Sequence, residues 1–265
     1  MSSVSAVPVH ARFLGGEGKP PMVIVHGLLG SSRNWLTAGK VFTEHYAVYL
    51  LDLRNHGESP WSDVMNFEAL AADLQAWLDK EDLHDIILMG HSLGGKTAMT
   101  YACRHPQRIK RLVVVDIAPK QNHNRWVDEF QLMQQIDLDH LKNRREAEDF
   151  LEQHGVAGWA FRKFLVSNLV HTDDGKFRWT ANIPVLGRAL PDLFQKNLLD
   201  DDYCRIPLLV IRGERSNFVS LADEEAFRKH FADFKIVTVS NAGHNVHVEH
   251  FEGFRKCLYD WLQLE

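Results

Sequence analysis

The sequence has little cysteine and no long hydrophobic run. Its 265 residues include three cysteines, which are Cys103, Cys204 and Cys257, and none of them belongs to a Cys-x-x-Cys pair. This usage argues against a disulfide framework and is typical of a reducing compartment. No stretch approaches the roughly 18 apolar residues of a membrane-spanning helix, and the first nine residues lack the pattern of a secretory signal peptide. We therefore expect a soluble cytoplasmic protein without integral membrane association.

The sequence also lacks a surplus of basic charge. It has 30 lysines and arginines against 35 aspartates and glutamates, for a net charge of -5. Such a chain has no positive field with which to hold a phosphate backbone, so we expect no nucleic-acid partner. With 45% hydrophobic residues and no internal repeat, it is long enough to bury one large core.

A Gly-x-Ser-x-Gly motif at Gly90 to Gly94 is the feature around which the chain is organised. An apolar run precedes it and a helix-forming stretch follows it. A serine at such a strand-to-helix turn has a strained backbone that exposes its hydroxyl, and the glycines let neighbouring backbone approach. The helix N-terminus also directs N–H groups at the place where an oxyanion would form. Ser92 is therefore predicted as a nucleophile, the alternative being a helix N-cap at a plain turn.

Apolar runs alternate with amphipathic segments on both sides of this motif. Runs typical of buried strands cover residues 22–25, 47–51, 111–115, 207–211 and 235–239. The alternation predicts an α/β fold with a mostly parallel central sheet flanked by helices, and with site residues at the carboxyl ends of the strands. A strand at Val9 to Leu14 and the glycine- and proline-rich turn after it predict a hairpin with the strand at 22–25.

The alternation stops between residues 120 and 202. This segment is typical of successive helices, with a small hairpin around Thr172 to Gly175, and offers no strand for the central sheet. We expect residues 1–119 and 203–265 to form the core and residues 120–202 to form an inserted helical cap that closes over a substrate. Its aromatic residues are candidates to line a pocket, although packing is the commoner role. They are Trp126, Phe130, Trp159, Phe161, Phe164 and Trp179.

A serine hydroxyl needs a base, and a histidine suits that role near neutral pH. His244 is the best candidate of the 15 histidines, because it follows the last predicted strand. A metal site at His244 and His247 is not predicted, since no carboxylates or thiols lie nearby at ligand spacing. The acid that orients the histidine is either Asp116, at the end of the strand after the motif, or Glu214 in the loop after residues 207–211. Asp116 is favoured by residue type, although it also suits an Asx turn.

The expected chemistry is acyl transfer. His244 would deprotonate Ser92, which would attack an ester-like carbonyl and form an acyl-enzyme that water then hydrolyses. The oxyanion would rest on two backbone N–H groups, one from Leu93 after the serine and one from Leu28 in the loop after the strand at 22–25.

These motifs together resemble the α/β-hydrolase superfamily from Met22 to the end of the chain. The segments that carry the resemblance are His26-Gly27, Asp52 to Ser59, Gly90 to Gly95, Asp116 and Gly243-His244. Further segments of the sequence resemble the bacterial YbfF-type esterases and related mitochondrial α/β-hydrolase-domain proteins. They lie at residues 52–57, 94–96, 116–119, 183–186 and 242–247.

This resemblance implies a cofactor-free serine hydrolase with a small helical cap. Its implied substrate is a small-molecule acyl ester of short to medium length, with acyl-CoA thioesters as a further class. Many relatives place the acid after the strand equivalent to residues 207–211, where this sequence has Ser216 and Asn217. This difference from many relatives supports Asp116 as the acid, with Glu214 as the second candidate.

Two other functions are compatible with the sequence. One is hydrolysis of a carbon–carbon bond in a dienoic diketone, which similar proteins perform with the same Ser, Asp and His. The other is a non-catalytic ligand-binding module that kept the fold. The identity of the products distinguishes a carbon–carbon bond hydrolase from an esterase. A measurement of hydrolytic activity tests the binding-module alternative. The sequence sets no oligomeric state.

Overall fold

A seven-stranded sheet forms the centre of the protein, whose computed structural model describes residues 5–122 and 126–264. The strands are β1 (Ala11–Gly15), β2 (Pro21–Val25), β3 (Ala47–Leu51), β4 (Ile86–His91), β5 (Ile109–Val115), β6 (Leu169–His171), β7 (Phe177–Trp179), β8 (Leu208–Gly213) and β9 (Phe234–Val239). The sheet has the order β1-β3-β2-β4-β5-β8-β9, and all its pairs are parallel except β1 with β3. The predicted mostly parallel α/β sheet is confirmed.

Helices cover both faces of this sheet. They are α1 (Leu36–Lys40), α2 (Phe67–Lys80), α3 (Leu93–Arg104), α4 (Val127–Gln135), α5 (Arg144–Gln153), α6 (Trp159–Val166), α7 (Ile183–Leu193), α8 (Glu224–His230), α9 (Val246–Glu249) and α10 (Phe251–Leu262). Alternate residues of β2 enter two cores: Val23 packs on the side of α2 and α3, and Ile24 on the side of α1 and α10. This follows from the two-residue period of a strand between two helical layers. None of the helices in the described ranges is long and apolar enough to cross a membrane.

The predicted hairpin between the first two strands is wrong. β3 lies between them, with Ala11 of β1 opposite Leu51 and Pro21 of β2 opposite Ala47. Burial explains the order, because β3 is almost entirely buried whereas the residues of β1 are half-buried or exposed. A strand of the second kind suits the edge of a sheet, and an apolar strand needs neighbours on both sides.

The segment between β5 and β8 is helical, as predicted. It contains α4 to α7, and β6 and β7 form the expected antiparallel hairpin outside the main sheet. Apolar residues of the four helices pack into the core on the α3 side of the sheet. Two helices close the chain, because His250 ends α9 and its side chain accepts the Gly253 N–H at the start of α10.

Candidate active site

Ser92 lies in a tight turn between β4 and α3. Its φ of 51° and ψ of -116° are strained for a residue with a Cβ, and its N–H is held by the Val115 carbonyl at 3.0 Å. A Cβ on Gly90 would overlap the Gly94 carbonyl, and a Cβ on Gly94 would lie 2.5 Å from the His26 carbonyl oxygen. The Ser92 side chain makes no capping hydrogen bond with α3, so its hydroxyl is not used as a helix cap.

His244 and Asp116 form a hydrogen-bonded pair. Asp116, fully buried at the end of β5, accepts the Nδ1–H of His244 on Oδ2 at 2.7 Å. Its Oδ1 accepts the Gly213 N–H at 2.9 Å, and the Ser216 hydroxyl donates to Oδ2. These donors fix the carboxylate, and the carboxylate holds the His244 proton on Nδ1, which leaves Nε2 as the acceptor nitrogen.

Glu214, the reserve candidate for the acid, lies in a different environment. Its Oε2 accepts the Asn241 N–H at 2.8 Å, and the residue is exposed. Within the described residues it forms no hydrogen bond with His244, whose carboxylate partner is Asp116. Ser216 stands out in the sequence only as a departure from relatives, and its contact with Asp116 is a feature that the sequence did not reveal.

The backbone around His244 is held from two sides. The Glu249 carboxylate accepts the Gly243 N–H at 2.8 Å and the Asn245 N–H at 3.1 Å. The His91 side chain donates its Nε2–H to the His244 carbonyl at 3.0 Å. The loop that carries His244 is therefore tied both to α9 and to the strand before Ser92. The sequence patterns predict no role for Glu249, and its position five residues after the histidine is the available signal.

Aromatic rings surround the imidazole of His244. The Phe218 ring stacks on it at 4.0 Å, and the His91 ring lies 4.7 Å away. His247, stacked on Trp35 at 3.9 Å, has its pKa lowered to about 3 by burial and the nearby His244, and burial also lowers the pKa of His91 well below 6.5. Both therefore stay neutral near pH 7. No group of three or more potential metal ligands occurs in the described part of the chain.

Leu28 and Leu93, the two residues predicted to supply the oxyanion donors, line the same cavity as Ser92. Leu93 is the first residue of α3, so its N–H has no partner inside the helix. Leu28 belongs to a loop braced by His26, whose Nδ1–H donates to the Gly27 carbonyl at 2.8 Å and whose Nε2 accepts the Leu53 N–H at 3.0 Å. Burial lowers the pKa of His26, which keeps this neutral arrangement.

A cavity of about 650 Å³ brings these residues together. Ser92, His244, Leu28 and Leu93 all line it, and its volume is in the usual range for small-molecule sites. The aromatic residues considered in the sequence analysis divide into three groups. Trp126, Phe161 and Phe164 line the cavity, Phe130 and Trp179 are buried in the core, and Trp159 is 65% exposed.

The fold and the site define an α/β hydrolase. The family model of the alpha/beta hydrolase fold matches residues 20–251, and the chain belongs to this family. The resemblance found in the sequence is confirmed.

Individual relatives are esterases and lipases by name. The chain is 31% identical over 251 residues to the sn-1-specific diacylglycerol lipase ABHD11 of Xenopus laevis, covering 92% of this chain and 80% of that protein. It is 32% identical to the esterase YbfF of Escherichia coli (strain K12), covering 91% of this chain and 92% of that one. A solved structure described as a marine microorganism esterase superposes with a TM-score of 0.91 at 31% identity, covering 98% of this chain and all of that chain.

Proposed function

We propose that the protein is a serine hydrolase that cleaves carboxylic esters of short to medium acyl groups, with acyl-CoA thioesters as a further class. The observation that carries the proposal is the 2.7 Å hydrogen bond between His244 and Asp116 beside a cavity that Ser92 also lines. The names of the relatives, esterase and diacylglycerol lipase, support ester bonds over the carbon–carbon bond of a diketone.

In the first half of the proposed reaction, His244 Nε2 takes the proton of the Ser92 hydroxyl as its oxygen bonds to the ester carbonyl carbon. The carbonyl oxygen becomes an oxyanion that accepts the N–H groups of Leu28 and Leu93. The tetrahedral intermediate collapses when the carbon–oxygen bond to the alcohol breaks and His244 gives its proton to the departing alcohol. The acyl group then remains as an ester on Ser92.

In the second half, water replaces the alcohol. His244 takes a proton from the water as its oxygen bonds to the acyl carbon. It returns that proton to the Ser92 oxygen as the bond between this oxygen and the acyl carbon breaks. The products are the free enzyme and a carboxylic acid. Asp116 keeps the imidazole in the productive tautomer and stabilises its cation without taking the proton. This chemistry uses neither a metal nor a cofactor.

The segment of residues 120–202 forms, in this proposal, a cap over the core of residues 1–119 and 203–265. Trp126, Phe161 and Phe164 support it, because they approach the cavity from the segment that contains α4 and α6. Apolar rings over an acyl-enzyme exclude bulk water and strengthen the hydrogen bonds of the oxyanion. Residues 123–125 at the entry to the cap lie outside the described ranges.

The proposal is tested by initial rates on p-nitrophenyl esters from acetate to palmitate, with the parent protein and Ser92→Ala compared. We expect turnover of the shorter chains by the parent and a loss of several orders of magnitude in Ser92→Ala. A fluorophosphonate should label the parent and leave Ser92→Ala unlabelled. A folded parent that is inert on every chain length contradicts ester hydrolysis, and ring-fission diketones then test the carbon–carbon alternative. Inactivity on both substrate classes indicates a binding module.

A further inference from the structure

Lys96 is a buried lysine that the proposed reaction does not use. It lies on α3 one helical turn after Ser92, is 2% exposed and lines the same cavity. Of the described residues that line this cavity, it is the only lysine or arginine. A lysine is seldom buried without a partner of opposite charge. Its placement therefore requires an explanation.

Two hydrogen bonds use part of the donor capacity of the Lys96 ammonium group. Nζ donates to the Lys120 carbonyl at 2.8 Å and to the Gln195 carbonyl at 2.5 Å. An ammonium has three N–H donors, so these carbonyls leave one, and the Phe67 ring, whose centroid lies 6.0 Å from Nζ, supplies only a weak cation–π contact to it. Within the described ranges Lys96 forms no ion pair, and the nearby Lys120 ammonium is itself paired with Asp223 at 2.6 Å.

The surroundings favour an anion as the missing acceptor. Burial and the neighbouring Lys120 lower the pKa of Lys96 to about 7, because its positive charge has no counter-ion. An ammonium buried beside an apolar cavity is stabilised most by an acceptor with a full negative charge, since a charge-assisted hydrogen bond is stronger there than in water. Leu93, Ile117 and Phe194 line the cavity with it and supply no such charge. Glu249, the one carboxylate among the described lining residues, accepts the backbone N–H groups of Gly243 and Asn245 instead.

We propose that Lys96 forms a carboxylate subsite, and that the acyl group of the substrate carries a second carboxylate a few carbons from the scissile carbonyl. The inference rests on the proposed ester hydrolysis and names its substrate class, the half-esters of dicarboxylic acids. Four residues of α-helix separate the backbones of Ser92 and Lys96 by about 6 Å along the axis, which a short carbon chain spans.

The carboxylate belongs to the acyl group and not to the alcohol. The departing alcohol must lie beside His244, whose ring is packed by Phe218 and His91. The Lys96 ammonium instead contacts the backbone of Lys120 and Gln195, where the helical segment leaves and rejoins the core. Hydrolysis of such a half-ester releases an alcohol and a free dicarboxylate.

The test compares monomethyl glutarate with methyl pentanoate, two methyl esters of equal acyl length that differ in the terminal carboxylate. For the parent we expect kcat/KM for monomethyl glutarate to exceed that for methyl pentanoate on the order of tenfold or more. In Lys96→Met this ratio should fall to about one, mainly through a higher KM for the half-ester, while methyl pentanoate keeps most of its rate. Lys120→Met is the matched control and should keep the parent ratio, since that side chain does not line the cavity.

Two outcomes overturn the subsite. One is a parent ratio near one with methyl pentanoate clearly turned over, and the other is an equal loss on both esters in Lys96→Met, which indicates that Lys96 only braces the fold. A parent inert on p-nitrophenyl esters as well contradicts the proposed hydrolysis itself, so the two failures are distinguishable. If Lys96→Met does not fold, competitive inhibition of the parent replaces it. Glutarate should then inhibit more strongly than pentanoate, and equal inhibition overturns the subsite.

Discussion

Ser216 donates its hydroxyl hydrogen bond to Oδ2 of Asp116, the same carboxylate oxygen that accepts Nδ1–H of His244. Two residues, one from the loop after β8 and one from the loop after β9, thus share one acceptor. In relatives that carry the acid after the strand equivalent to β8, this loop would supply the carboxylate. Here it supplies a hydroxyl that orients a carboxylate from β5.

We predict that Asp116→Asn leaves the fold intact and lowers turnover by about 10⁴, the size of the effect at the equivalent position of a serine-protease triad. An amide cannot accept on both of its atoms, so the bonds to Gly213, Ser216 and His244 cannot all be kept. Steady-state rates on a p-nitrophenyl ester measure the loss. Glu214→Gln is the control and should behave like the parent. Parent-like turnover in Asp116→Asn with a large loss in Glu214→Gln would reverse our choice of the acid.

Ser216→Ala should lower kcat by about tenfold and leave the free energy of unfolding nearly unchanged, because the side chain is only half-buried and one donor to the carboxylate is lost. Ser216→Thr, which keeps a hydroxyl at the same position, should recover most of the rate. Equal kcat in the parent and in Ser216→Ala would show that the bond to Asp116 has no part in orienting His244.

Gly94→Ala should destabilise the protein by about 1–3 kcal/mol and abolish ester turnover, because its Cβ would press on the backbone of the loop that carries Leu28. Gly187→Ala on α7 is the matched control. Its Cβ would meet Phe130 at an ordinary 3.4 Å, and alanine favours a helix, so its stability should match or exceed that of the parent. Urea unfolding of both variants checks the difference. A Gly94→Ala protein as stable and active as the parent would contradict the close approach at this turn.

Stability should fall as the pH drops below about 6.5, partly because of His247. The pKa of His247 is lowered from 6.5 to about 3 in the folded state, so between these values the unfolded chain binds a proton that the folded protein does not. His247→Phe, which can still stack on Trp35, should remove this contribution and make the decline with acid shallower.

Unfolding free energies at about pH 7 and about pH 5 give the slope for the parent and for His247→Phe. His140→Gln is the control, because that side chain is 85% exposed and should leave the slope close to that of the parent. An unchanged slope in His247→Phe would show that His247 is not held neutral by burial.

Much of the fold was predictable because its signals are local. The apolar runs predicted the strands near their observed bounds, and successive helices with a hairpin were also expected between β5 and β8. The pairing of the strands was less predictable. The turn after β1 is typical of a hairpin, yet the partner of β1 is β3, because the order of strands depends on which of them can be buried on both faces.

The sequence by itself determined the turn at Ser92, since Gly90 and Gly94 are required by atoms only a few residues away or on the adjoining strand. Only the tertiary structure decided the partner of His244, because Asp116 lies 128 residues away and their 2.7 Å separation depends on how β5 and the loop after β9 are placed in the sheet. The same holds for Lys96. Its identity is plain in the sequence, but its burial beside the cavity arises from backbone carbonyls that the fold brings from distant segments.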